Sequence, residues 1–171
     1  MPSLARMTLA AAALLAVTGP GLAQSGATIH DPPGPKPDPG HIPFTLPAGV
    51  KWKGDPAVQQ TATLFGDPGK PGLYGVLIKW MPGHFSHPHF HTQDRFIYVV
   101  SGTWWVSSST HYDPAKTYPL PAGSVSEDVA NTVHWDGARL GGPPAILELV
   151  GMGPVKTVAV DENGKPKPGH E

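Results

Sequence analysis

Gly83-His84-Phe85-Ser86-His87-Pro88-His89-Phe90-His91 carries four of the chain's nine histidines. It runs on through Thr92-Gln93-Asp94-Arg95 into the apolar segment Phe96–Ser101 and ends on Gly102. Neutral imidazole is the commonest protein ligand for a transition metal. Alternate residues of a strand face the same side, so His89 and His91 present both rings together. A further histidine, His134, follows behind the turn Pro121-Ala122-Gly123. Two rings from one strand and a third from a neighbour can close around one ion. The stretch predicts an all-β protein built around a single metal site.

The flanking sequence agrees with a β-protein. Short runs rich in β-branched and aromatic residues alternate with Gly, Pro, Asp and Asn. They are Val50–Lys53, Gln59–Phe65, Leu73–Trp80, His87–His91, Phe96–Ser101, Thr103–Ser107, Lys116–Leu120, Ser124–Val129, Thr132–Asp136, Ala145–Val150 and Val155–Val160. No helical period of useful length competes with them. Many short, closely spaced strands predict a sandwich or small barrel over residues 48–160.

Twenty-one glycines and 22 prolines fit a chain with many turns. With a net charge of −1, the chain has no electrostatic footprint for nucleic acid or an anionic membrane. The lack of cysteine excludes disulfides, thiolate metal sites and a cysteine nucleophile. Residues 1–23 read as a signal peptide. Arg6 leads the apolar run Met7–Val17, which is too short to span a membrane, and Gly21-Leu22-Ala23 supplies a small-residue cleavage site. The mature protein is therefore expected outside the cytoplasm, secreted or periplasmic, with no membrane span. Residues 24–47 form a Pro/Gly-rich arm, and residues 161–171 a polar tail expected to fray. His30, His41, His111 and His170 fall in such loops and tails.

The order Gly83, five residues, His89-x-His91, three residues, Arg95, six residues, Gly102 resembles the first motif of the cupin superfamily, G-x5-H-x-H-x3–4-E-x6-G. Gly123 and His134 take the glycine and histidine places of the second motif, G-x5-P-x-G-x2-H-x3-N. Val129, Asn131 and Ala138 replace its proline, second glycine and asparagine. The resemblance implies a double-stranded β-helix, or jelly-roll, barrel. It also implies metal ligands at His89, His91 and His134.

Arg95 stands where the resemblance implies a glutamate ligand. A guanidinium cannot bind a cation. Three arrangements follow. In the first, three histidines hold the metal with open positions for water or substrate; in the second, Gln93 supplies the missing oxygen; in the third, the site has lost its metal and a histidine acts as a base. By strand parity His87, His89, His91, Gln93 and Arg95 would share one face of a straight strand. Arg95 needs either a substrate anion or a neutralising carboxylate, for which Asp94, Glu127 and Asp128 are candidates. His84 and His87 read as rim or supporting residues. Of Trp104 and Trp105, one ring should face inward and the other outward, where it would mark a homodimer interface. Phe96 and Tyr98 share a face and are expected to pack, as are Trp80 and Trp135.

Three imidazoles without a carboxylate suit copper or zinc, with iron, manganese and nickel as alternatives. A redox metal with open sites implies an oxidase or dioxygenase acting on a small-molecule or sugar-derived substrate. Arg95 or Gln93 would then orient substrate or oxygen. Zinc implies isomerase or lyase chemistry instead. A metal-free general-base enzyme and a ligand-binding module without turnover complete the readings.

Overall fold

The computed structural model describes Gly40 and residues 43–168. Residues 1–23, expected to be a signal peptide, most of the expected Pro/Gly arm, and His30, His41 and His170 lie outside the described residues. Among the described residues eleven strands are formed: β1 Lys53–Asp55, β2 Gln59–Phe65, β3 Gly72–Trp80, β4 His89–His91, β5 Arg95–Ser101, β6 Thr103–Ser107, β7 Tyr118–Pro121, β8 Val125–Asp128, β9 Trp135–Gly137, β10 Ala145–Gly153 and β11 Thr157–Ala159. Each overlaps an expected run, and the expected boundaries of β2 and β6 are reproduced, but β1 shares only Lys53 with Val50–Lys53 and β9 begins three residues into Thr132–Asp136.

A six-stranded sheet has the order β1-β2-β3-β10-β5-β8. Sheets β11-β4 and β7-β6-β9 make up the other wall. Those two are stitched together where His89 and His134 exchange both backbone hydrogen bonds, at 2.9 and 2.8 Å. All the pairings within the sheets are antiparallel.

Alternation along the strands selects the inside. In β5, Ile97 and Val99 are buried while Phe96, Tyr98 and Val100 are exposed. In β10, Ala145, Leu147 and Leu149 are buried. These residues join Trp80, Trp104 and Ala138 in one core cluster. Each large aliphatic side chain fully buried there contributes roughly 1.5–3 kcal/mol relative to exposure.

Gly102 makes the tight link from β5 to β6. Its φ is +72°, and a Cβ there would lie 2.3 Å from the Pro144 carbonyl oxygen. Only glycine fits both conditions.

Trp104 is the inward ring, and Trp105 is half-buried beneath the Arg139 guanidinium, 3.9 Å from its ring centroid. Two expectations are corrected by packing. Phe96 and Tyr98 do share a face, but it is the outer one, where they are 59% and 46% exposed. The start of the polar tail is also ordered. Asp161 accepts from the backbone N–H groups of Asn163 and Lys165, both at 2.9 Å, and Lys167 N–H donates to the Ala159 carbonyl at 2.8 Å.

Candidate metal centre

β4 is only three residues long because Pro88 precedes it and a turn at 92–94 ends it. Within it His89 and His91 both face inward and are 9% and 4% exposed. The paired backbones of His89 and His134 bring the third ring alongside. One ring nitrogen from each of the three lies within 4.8 Å of the others.

Each ring has its Nδ1 against an oxygen. His89 Nδ1 donates to the His87 carbonyl at 2.7 Å. His134 Nδ1 faces the Thr132 carbonyl at 3.1 Å and Asp128 Oδ1 at 3.3 Å. His91 Nδ1 lies 3.0 Å from Thr157 Oγ1, a hydroxyl that can accept. A carbonyl only accepts, so Nδ1 of His89 and of His134 carries the proton and Nε2 keeps its lone pair.

The Nε2 atoms of His89 and His91 are 3.0 Å apart. Two lone pairs that close repel unless a cation or proton lies between them. Two nitrogens each roughly 2.1 Å from one ion and about 90° apart have this separation. The residues present fit a transition-metal ion.

Burial favours the neutral form of His91 and His89. It pushes His91 down to about 2, with the Arg95 guanidinium and the other two rings adding to the effect. Burial also lowers His89, followed by the neighbouring His134. A neutral imidazole is the form a metal requires.

Arg95 begins β5, opposite Asp128 in β8. Its Nε and Nη2 both donate to Asp128 Oδ2, at 2.8 and 2.5 Å, and the two side chains are 12% and 4% exposed. Asp128 is thus the neutralising carboxylate. Glu127 is exposed, and Asp94 instead accepts from Ala130 N–H at 2.7 Å. The other oxygen of Asp128 faces His134, so Arg95 holds the group that orients a candidate ligand.

The turn at 92–94 breaks the parity of a straight strand. Arg95 still reaches the interior, but Gln93 is exposed in the turn and does not line the cavity. That position does not support Gln93 as an oxygen ligand or as a group orienting substrate. His87 lies at the cavity rim, stacked on Tyr112 with ring centroids 4.7 Å apart, and supports His89 through its carbonyl. His84 is a turn residue, and His111 is exposed.

The three histidines open onto a cavity of about 460 Å³ between the sheets. Ile78, Ile97, Trp104, Leu147 and Leu149 form its apolar walls, and Arg95 and Asp136 add charge. Asp136 was not anticipated. Its carboxylate accepts from the indoles of Trp80 and Trp104 at 2.9 and 2.7 Å, and from the Ser86 hydroxyl at 2.8 Å. A signal for it existed, since it lies two residues beyond His134, at strand parity with it. Thr157 carried no such signal.

No family model matches the chain, and neither does the sequence of any curated protein. Solved structures do match. An RmlC-like cupin protein from Ralstonia eutropha JMP134 is 21% identical with a TM-score of 0.56, over 72% of this chain and 75% of that one. A polyketide cyclase, RemF of Streptomyces resistomycificus, is 19% identical at 0.54, over 71% of this chain and 88% of that one. A proposed acetylacetone dioxygenase from Methylibium petroleiphilum PM1 is 18% identical at 0.54, over 72% and 84% respectively. The two-walled β-structure, with three inward histidines at the places the motifs assign, is a cupin fold.

Proposed function

We propose that this protein binds one transition-metal ion through His89, His91 and His134 and acts as an oxidoreductase of the oxidase or dioxygenase type on a small molecule. The observation that carries the reading is the convergence of three ring nitrogens beside a largely apolar cavity of about 460 Å³. Copper best suits three neutral nitrogen donors and supplies redox chemistry when bound.

The remaining steps belong to this chain's own residues. The His87 carbonyl, Thr157 Oγ1 and the Thr132 carbonyl fix the rings. The Arg95–Asp128 pair steadies His134 from behind. Ile78, Ile97, Leu147 and Leu149 exclude water and hold the apolar body of a substrate against the histidines. Export directed by residues 1–23 belongs to the same proposal, because a chain folding outside the cytoplasm acquires its ion there.

A second reading, a zinc-type isomerase, lyase or cyclase, draws on the same three histidines and on the likeness to a polyketide cyclase. Metal analysis of the protein and of His89→Ala and His134→Ala tests the site. About one ion per chain is expected in the wild type, and almost none in either variant. Full retention in both variants would sink the assignment. Oxygen uptake by copper-, iron- and zinc-loaded protein with acetylacetone and with ascorbate separates the chemistries. Uptake with copper or iron supports the oxidoreductase; none with any metal removes it.

A further inference from the structure

Asp136 is a buried carboxylate, 8% exposed, and its three side-chain donors are all neutral: two indoles and a hydroxyl. Among the described residues no lysine, arginine or histidine forms an ion pair with it. It lines the same cavity as His89, His91, His134 and Arg95. The Arg95 charge is already cancelled by Asp128. Among the described residues this carboxylate thus meets only neutral donors, in the wall of the cavity that the three histidines share.

A buried, unpaired charge is costly, and a structural cross-link between two indoles does not need one. An asparagine could accept both indole hydrogens through its carbonyl oxygen. A carboxylate kept there with no cationic partner suits a cation in the cavity, and the three converging imidazoles mark where one would sit.

We propose that Asp136 is the fixed counter-anion of the metal site. It acts through space and replaces the negative charge lost where Arg95 stands in the glutamate position. The inference rests on the three-histidine reading above. Trp80, Trp104 and Ser86 hold the carboxylate in place, so that it faces the site without ligating. Asp136 is a positioning residue of electrostatic kind.

Zinc and cobalt titrations against a competing chelator, on the full mature chain, test it. Asp136→Asn is expected to weaken both ions by about tenfold or more. The visible bands of the cobalt form should keep their positions, because the ligands are unchanged. The thermal midpoint of the metal-free variant should hold or rise, since an unpaired buried charge is gone. Ser86 gives a second route that leaves Asp136 intact. Ser86→Lys, which sets a cation against Asp136, should weaken both ions similarly, and Ser86→Ala should leave affinity within about threefold of wild type.

If wild type binds and Asp136→Asn binds as tightly, the counter-anion is overturned while the three-histidine site stands. Moved cobalt bands overturn it too, by making Asp136 a ligand. A wild type that binds no metal overturns both. Should Asp136→Asn fail to fold, Ser86→Lys decides alone, and unchanged affinity there overturns the proposal.

Discussion

Arg95 gains its meaning from one partner. Asp128 takes two of its N–H groups on one oxygen and turns the other oxygen to His134. A carboxylate at position 95 would therefore not recreate a carboxylate ligand, because it would meet Asp128 first. Arg95→Glu should lower the stability of the metal-free protein by about 3 kcal/mol, since it leaves a buried acid unpaired and adds a like charge. Arg95→Glu combined with Asp128→Asn should recover only part of that loss, because the like charge is gone but one buried acid still lacks a cation. Urea denaturation of the three proteins checks this, and an Arg95→Glu variant as stable as wild type would contradict it. Asp128 could be named from sequence only as one of three candidates. Asp128 and Glu127 are adjacent and face opposite sides of β8, and which of them meets Arg95 depends on a long-range register.

The elements are joined by turns whose backbone explains the motif positions. Gly83, Gly102 and Gly123 all have positive φ. Asn131, standing at the second motif's other glycine place, is the only non-glycine residue with positive φ among those described, at 60°. Asparagine tolerates this conformation better than most residues and so keeps the turn in place of glycine. Asn131→Gly should therefore be neutral or stabilise by up to about 1 kcal/mol, whereas Asn131→Val should destabilise by about 1–3 kcal/mol. Gly102→Ala should cost more than either, because its methyl would overlap the Pro144 carbonyl. Thermal midpoints in any other order would refute this account. Strand positions were legible because alternation and turn residues are local signals. The shortness of β4 was less so. The turn that ends it puts Gln93 outside and Arg95 inside, which a period of two cannot express.

At the scale of the molecule, the walls of the cavity set the protonation of the site. His91 is pushed to about 2 by burial, well below the ordinary 6.5, and His89 is lowered in the same sense. Below pH 6.5 the unfolded chain takes up protons that the folded chain refuses. The associated stability is complete above pH 6.5 and is lost as the pH falls towards the folded value. His91 alone should contribute a loss of about 1.4 kcal/mol per pH unit once well below 6.5. The metal-free protein should thus unfold at lower urea at pH 4.5 than at pH 7.5. His91→Asn should flatten that dependence by about one proton. An unchanged slope in the variant would show that His91 is not held neutral by the fold.

Local pattern alone determined the all-β class, the strand positions and the pairing of His89 with His91, because periodicity and turn chemistry act over a few residues. The two motifs, read as a resemblance, added His134 and the jelly roll. Only the tertiary structure decided that Asp128 neutralises Arg95, that Gln93 lies outside, and that the buried carboxylate of Asp136 lines the same cavity as the three histidines. Those outcomes depend on the register between strands distant in sequence and on what each side chain meets once water is excluded. The histidine window specifies where an ion can be held; the carboxylates that the fold brings up to it set the electrostatics it would meet.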